Sequence, residues 1–463
     1  MDTIVAPATG PAHGAIAIVR LSGPQALQLA GSLIALGNHT ANTTLIPRHA
    51  HYALLYDGQK PLDEAVITYF PGPHSYTGED IVEIATHGAP YIVQRTIEIL
   101  IAQGARPANP GEYTQRAFLA GKMDLAQAEA VGDLVAATTK TQHAAAMGQL
   151  RGNVSKAITA LREQLLQLAT LIELEIDFGE EDVEFADREQ LRKLATNALQ
   201  HTRTLADTFS LNDAIKNGIP IVIAGPPNAG KSTLLNTLLD EERAIVTPYA
   251  GTTRDLLEGQ RTIGGVLFRF TDTAGLRQTD DPVETIGVQR ATNLLREAPA
   301  VLFMLDASTP TQEQARHLDS LHTLIPAEAQ CLILLSKADI MESQTLQTRI
   351  DALRTLHQEL QYIGWGAPAK QGLPAVLEWL ATQAKRLLPP EGGVIITNQR
   401  HYAALRAAQQ QLTELLNALD QGLSPDLLAY HLRVVTGHLA SITGEIGVEE
   451  ILGNIFKNFC IGK

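Results

Sequence analysis

The residues best suited to chemistry lie mid-chain, where an apolar run, Ile221-Val222-Ile223-Ala224, leads directly into Gly225-Pro226-Pro227-Asn228-Ala229-Gly230-Lys231-Ser232-Thr233. A buried strand that ends in a glycine-bounded turn and then opens a helix aims free backbone N–H groups at an anion, so the stretch reads as a phosphate loop. Lys231 is placed to reach the outer phosphates of a nucleotide as a point charge, and the Ser232 hydroxyl to hold Mg²⁺. A glycine-rich strand-to-helix turn without a ligand is the plain alternative.

Three further segments weigh against that alternative. Gly251-Thr252-Thr253-Arg254-Asp255 supplies in Thr253 a hydroxyl that can complete the Mg²⁺ shell and sense a γ-phosphate. Asp272-Thr273-Ala274-Gly275 closes an expected strand, Leu267 to Thr271, with a carboxylate near the metal and a glycine N–H for the γ-phosphate. Ser336-Lys337-Ala338-Asp339 closes another, Cys331 to Leu335. The Asp339 carboxylate can accept from both N1–H and the exocyclic amine of guanine, a donor pair that adenine lacks. Together, and each near a strand end, these segments specify a GTPase domain with Lys231, Thr253 and Asp272 as catalytic candidates.

The elements around this site are those of a multi-domain α/β chain. Its 463 residues, 45% of them hydrophobic, have room for about three domains. No run of about 18 uncharged apolar residues occurs, and the opening Met1-Asp2-Thr3-Ile4-Val5 has no basic, apolar leader, so a cytoplasmic protein with no membrane partner is expected. Two cysteines, Cys331 and Cys460, fit a reducing compartment and exclude a disulfide framework or a four-cysteine metal site. The net charge of −14 opposes general electrostatic binding of nucleic acid, so an RNA partner must use a local patch or another subunit. Much of that charge lies between Glu173 and Glu189, either a solvated link between helices or a contact for a basic partner.

Residues 1–120 read as a small α+β domain. Strands are expected at Ala15–Arg20, at His51–Tyr56 and Ala65–Phe70 around an Asp57-Gly58 turn, and at Ile81–Ala85, with helices at Gln25–Leu36 and Tyr91–Gln103. Arg20, Glu83 and Lys122 stand near strand and helix ends; taken alone, each is an ordinary exposed charge. Residues 121–215 and 389–463 carry helical periods, including His401–Leu419, Pro425–Ile442 and Glu449–Phe459. They flank a nucleotide domain at 216–388 that Pro389 and Pro390 close. Amphipathic helices on both sides need partners, which implies one helical domain with a Ras-like phosphate-loop GTPase domain, its sheet mostly parallel, inserted into it.

At both ends as well as in the middle the chain resembles the MnmE (TrmE) family of tRNA-modifying GTPases. The matching segments are Asp2-Thr3-Ile4-Val5-Ala6, Ser75-Tyr76-Thr77-Gly78-Glu79-Asp80, Pro110-Gly111-Glu112-Tyr113, the run Lys122 to Ala130, and Phe459-Cys460-Ile461-Gly462-Lys463. The resemblance implies a homodimer joined through a folate-binding N-terminal domain. It also implies action with the flavoprotein MnmG (GidA), in a heterotetramer or larger assembly. Together they would install an aminomethyl or carboxymethylaminomethyl group at C5 of the wobble uridine of certain tRNAs, drawing a one-carbon unit from 5-formyl- or 5,10-methylene-tetrahydrofolate.

Carried over by motif, the folate contacts fall on Arg20, Glu83, Lys122 and Lys463, and a glutamate tail and a pterin do want a cation and a carboxylate. Cys460 matches the C-terminal cysteine near the folate, as a nucleophile or as a packing group. GTP contacts are expected at Asn228, Ala229, Gly230, Lys231, Ser232 and Thr233; at Thr247, Pro248, Tyr249, Ala250, Gly251 and Thr252; at Asp272, Thr273, Ala274 and Gly275; at Ser336, Lys337 and Asp339; and at Gly366 and Ala367. Mg²⁺ falls to Ser232 and Thr253.

Leu276 stands where many small GTPases place a water-orienting glutamine, and the resemblance moves that task to Glu284. Asn228 is either a turn residue or a neutral K⁺ ligand beside the phosphates. In the family the K⁺ does the work of an arginine finger, with Thr247, the Tyr249 carbonyl and Thr252 completing its ligands. Two departures fall on the base side: Ser336 replaces the usual asparagine, and Gly366-Ala367 replaces the usual Ser-Ala. The rival readings are a regulatory or ribosome-assembly GTPase switch and a one-carbon transferase with a GTPase merely attached.

Overall fold

The computed structural model describes residues 2–10, 14–35, 45–177, 188–239, 258–273, 292–388, 393–445 and 462. The chain divides into two compact units: Met1–Ala136 with Ala146–Asp207 and Asn398–Lys463, and Ala137–Ala145 with Thr208–Thr397. Among the described residues, no helix is long and apolar enough to cross a membrane.

In the first unit, strands β1 (Ile4–Pro7), β2 (Ile16–Ser22), β3 (Ile34–Ala35), β4 (Ala50–Asp57), β5 (Lys60–Phe70), β6 (Ile81–His87) and β7 (Arg106–Pro107) form one sheet in the order β3-β4-β5-β6-β2-β1-β7. It is antiparallel except for the β1–β7 pair. Alternation sorts its residues: Val19, Leu21, Val82 and Ile84 enter one core with Leu29, Leu33 and Leu100 of the covering helices. Arg20 and Glu83, opposite each other in register, therefore lie on the other face. The β4–β5 turn at Asp57-Gly58 is as expected, Gly58 having φ +62°. Two boundaries differ from the sequence reading. β2 runs on to Ser22, leaving Arg20 inside the strand, and the helix from Ala26 stops at Leu33 because Ile34 and Ala35 pair with Leu55 and Leu54.

Four helices of the same unit close a ring of contacts: Asn153–Asp177 on Arg188–Asp207, that on Gln399–Asp420, that on Pro425–Thr443, and the last back on the first. Their apolar residues recur three or four apart, as in Ile158, Leu161, Leu165, Leu168 and Ile172, or Leu428, Leu432, Val435 and Leu439, and all are buried. Helix Leu125–Ala136 docks there through a buried polar cluster. Glu129 accepts from Arg400 Nε at 2.9 Å and faces His401 Nε2 at 2.7 Å.

The second unit holds β8 (Ile219–Ala224), β9 (Glu258–Ile263), β10 (Val266–Asp272), β11 (Ala300–Asp306), β12 (Gln330–Ser336) and β13 (Gln361–Gly364), ordered β13-β12-β11-β8-β10-β9. Every pair is parallel except β9–β10. The central strands read as unbroken apolar runs because both faces are covered. Ile221, Ile223, Leu302, Met304, Leu332 and Leu334 pack with residues of helices Lys231–Leu239 and Leu373–Leu387. Val222, Val301, Phe303, Leu305, Ile333 and Leu335 pack with residues of helices Thr311–His322 and Ser343–Leu356. This is the mostly parallel phosphate-loop sheet the sequence implies.

Candidate functional site

Parallel strands flanked by helices on both faces expose their carboxyl ends as the site-building edge. The phosphate loop follows β8, Asp272 ends β10, Ser336 ends β12, and Gly366 follows β13, so one edge gathers residues far apart in sequence. The loop's backbone explains its glycines. Gly225 has φ +144°, and a Cβ there would lie 2.2 Å from the Met304 carbonyl oxygen, so only glycine fits. Gly230 has φ +93°, and the exposed Asn228 has φ +61°, a left-handed conformation that asparagine tolerates.

Lys231, the first residue of its helix, is buried, and its Nζ donates to the carbonyls of Gly225 at 3.0 Å and Pro226 at 2.8 Å. Those bonds hold the ammonium within the curl of the loop, beside the helix N-terminus that favours an anion. The Ser232 hydroxyl donates to Asp272 Oδ2 at 2.7 Å, and Asp272 is fully buried. An alcohol oxygen and a carboxylate in contact at a helix N-terminus are the hard donors that Mg²⁺ takes. The Thr273 hydroxyl donates to the Ile223 carbonyl at 3.1 Å, tying β10 to β8.

On the base side, Trp365 N–H donates to the Leu335 carbonyl at 2.8 Å and Ala338 N–H to the Trp365 carbonyl at 3.0 Å, which fixes the two loops together. Asp339 is exposed and stands against Gly366: a Cβ on Gly366 would lie 2.8 Å from the Asp339 Cβ. Ser336 is buried at the end of β12, and its Oγ finds no hydrogen-bond partner among the described residues. Lys337 pairs with Asp306, which sequence reasoning did not single out; a carboxylate closing the apolar run Ala300–Leu305 was the available signal. Burial raises the Asp306 carboxyl, but Lys337 and Ser308 outweigh it and hold the group below its ordinary value.

The expected folate residues divide. Arg20 and Glu83 are brought together, with Arg20 Nε 2.9 Å and its terminal nitrogen 2.8 Å from Glu83 Oε1. The Arg20 guanidinium also lies over the rings of Tyr76 and Tyr113, at 5.8 Å and 5.6 Å, and donates to the Gly462 carbonyl at 3.3 Å. Thus Gly462 reaches the same cation. Burial pushes up the Tyr76 phenol, despite its contacts with Thr114 and Arg20, and that of Tyr113 as well. Lys122 donates to the Pro73 carbonyl, on the segment that also carries Tyr76, and no contact joins it directly to the Arg20–Glu83 pair among the described residues.

Comparison with known proteins settles the family. Residues 3–122 match the family described as GTP-binding protein TrmE N-terminus, and residues 125–460 the MnmE helical domain. The chain is 44% identical over 466 residues to the tRNA modification GTPase MnmE of Cytophaga hutchinsonii, covering all of this chain and 98% of that protein. It is 43% identical over 476 residues to that of Christiangramia forsetii, covering 100% and 99%. The chain belongs to the MnmE family of tRNA modification GTPases.

For an MnmE-family chain, several expected positions lie outside the described residues: Thr247, Pro248, Tyr249, Ala250, Gly251, Thr252, Thr253, Ala274, Gly275, Glu284, Cys460 and Lys463. The expected helix Glu449–Phe459 and most of the acidic run lie there too. The other cysteine, Cys331, is buried on β12, and burial pushes its thiol up to about 12. That removes it from thiolate chemistry.

Proposed function

We propose that this chain hydrolyses GTP with Mg²⁺ and K⁺ and that turnover governs a tRNA modification. Together with the flavoprotein MnmG, as a homodimer within a larger assembly, it adds a carboxymethylaminomethyl or aminomethyl group to C5 of a wobble uridine, using a tetrahydrofolate one-carbon unit. The observation that carries the reading is the 2.7 Å contact of Ser232 with buried Asp272 beside the Lys231 ammonium, which predisposes one edge of the sheet for a metal–triphosphate.

In this reading residues 1–120 bind folate and dimerise, 216–388 form the GTPase domain, and 121–215 with 389–463 form the helical domain. Ser232 and Thr253 would hold Mg²⁺, which neutralises charge on the phosphates. Lys231 and the helix N-terminus bind the anion, Asp339 selects guanine, and Glu284 orients water. Asn228, Thr247, Tyr249 and Thr252 would hold K⁺. Arg20 and Glu83, with Tyr76 and Tyr113 around them, offer a cation, a carboxylate and aromatic faces, which suit a folate; Lys122 and Lys463 join them as expected contacts, with Cys460 nearby.

The test has two arms. Purified chain should turn over GTP faster in K⁺ than in Na⁺, and equal rates would remove Asn228 from its role. In cells lacking the gene, mass spectrometry of tRNA nucleosides should show an unmodified wobble uridine, restored by the wild-type chain but not by Asp272→Asn. Unchanged nucleosides alongside intact GTP turnover would turn the reading to a regulatory switch.

A further inference from the structure

At the opposite edge of the GTPase sheet, two histidines and a glutamate converge. His322 ends helix Thr311–His322, His357 directly follows helix Ser343–Leu356, and Glu359 lies just before β13. One ligating atom from each lies within 4.8 Å of the other two. Glu359 Oε1 is 2.9 Å from His322 Nε2 and 4.0 Å from His357 Nδ1, and the two rings stack at 5.4 Å between centroids. We infer that His322, His357 and Glu359 form a binding site for one divalent transition-metal ion, zinc being the ion it suits best.

Ligand type comes first. Two imidazole nitrogens and one carboxylate oxygen are borderline donors, the set taken by Zn²⁺ and its neighbours rather than by Mg²⁺ or Ca²⁺. A tetrahedral ion with bonds of about 2.0–2.1 Å holds its ligands about 3.3 Å apart, and the observed 2.9 and 4.0 Å bracket that spacing. His322 and Glu359 are exposed, so their side chains can turn onto an ion, and solvent reaches the fourth position.

Positioning comes second. The free nitrogen of His357, Nε2, lies 3.5 Å from Asp319 Oδ1. A carboxylate on that side can accept from Nε2 when Nδ1 binds a metal, the outer-sphere arrangement that metal-ligating histidines use. The backbone is fixed as well. His357 N–H donates to the Leu353 carbonyl at 3.0 Å, its own carbonyl accepts from Leu360 N–H at 3.4 Å, and Leu318, Leu321, Leu353 and Leu360 are buried in the adjoining core.

Location comes third. The cluster lies by the amino ends of β12 and β13, whereas the nucleotide motifs follow their carboxyl ends. A seven-residue strand such as β12 separates the two edges by about 20 Å. This site is therefore separate from the Ser232–Asp272 centre and uses no residue of it.

The experiment uses the full chain, stripped with a chelator, dialysed, and titrated with Zn²⁺ against a chromophoric competitor. Wild type should bind a zinc that is absent from the His322→Ala/His357→Ala double variant, with Glu359→Gln weakening it and Asp319→Asn costing about tenfold in affinity. Co²⁺ should give the intense visible bands of a four-coordinate ion, lost in the same variants. GTP turnover in Mg²⁺ should persist in the double variant, which reports that the domain is folded. Zinc stoichiometry and affinity unchanged in that folded variant would overturn the inference, as would a wild-type chain that takes up no zinc.

Discussion

Ser336 ends β12 where the guanine motif usually has asparagine, and it is the sharpest place to test the base-side geometry. It is 3% exposed, its Oγ lacks a partner among the described residues, and its Cβ stands 4.0 Å from where a Cβ on Gly230 would lie. A buried hydroxyl without a partner costs about 1–3 kcal/mol in desolvation. Ser336→Ala removes that cost while leaving a cavity of a single oxygen, so the variant should unfold at equal or higher denaturant, by up to about 1 kcal/mol, with GTP affinity unchanged. Ser336→Asn projects an amide towards the phosphate loop, where one new neutral hydrogen bond is worth about 0.5–1.5 kcal/mol, or roughly two- to twelvefold in Kd. Fluorescent-nucleotide titration and urea unfolding of both variants give the readouts. Loss of more than about 1 kcal/mol in Ser336→Ala would mean that the hydroxyl is satisfied, and the reasoning would be refuted.

Three other perturbations have defined outcomes. Gly366→Ser places a Cβ 2.8 Å from the Asp339 Cβ and 3.0 Å from its Oδ1, so the carboxylate must move; Kd for GDP should rise roughly ten- to a hundredfold by nucleotide titration, the worth of one charge-assisted bond. Ser232→Ala withdraws the hydroxyl that meets Asp272 Oδ2, and GTP turnover should fall on the order of a hundredfold, measured by phosphate release across a Mg²⁺ titration. Burial raises the Glu129 carboxyl, yet His401 and Arg400 outweigh it and its folded pKa lies below its ordinary value. Its stabilising contribution is therefore complete above that value and is lost as pH falls through the folded pKa. Glu129→Gln should cost about 3 kcal/mol near neutral pH and flatten the acid limb, read by hydrogen exchange of helix Leu125–Ala136.

The nucleotide edge was legible because its signals are local: an apolar run, a glycine-bounded loop, and carboxylates where runs stop. Apolar runs such as Ile221–Ala224 and Cys331–Leu335 also announced strands of that sheet. What escaped depends on partners remote in the chain. Arg20 reads as an ordinary charge until β2 and β6 set it opposite Glu83 and the fold brings Tyr76 and Tyr113 to its sides. The period that suggested a helix to Leu36 was overridden when Ile34 and Ala35 found hydrogen-bonding partners on β4. Glu129, Arg400 and His401 carried no signal, since nothing in either helix's own period says that its polar residues will meet in a buried cluster.

Parallel topology explains why the GTPase sheet can carry two different kinds of site. All strand carboxyl ends of β8, β10, β11, β12 and β13 point to one edge, so the loops there can evolve ligand contacts while the helices hold the strands in register. The loops returning from the helices gather at the other edge, and there His322, His357 and Glu359 sit on anchored helix ends. The two edges share the cores between them: Leu335 and Ile333 of β12 pack with Leu318, Leu321 and Leu353, which carry the histidines. An ion that draws those two helix ends together must act on the same packed layer that positions Ser336 and Asp339. Zinc occupancy should therefore change guanine-nucleotide affinity by a modest factor, and the same factor must appear when the zinc affinity is measured with and without GDP. A factor of one in both titrations would show that the metal and the nucleotide are not linked through this layer.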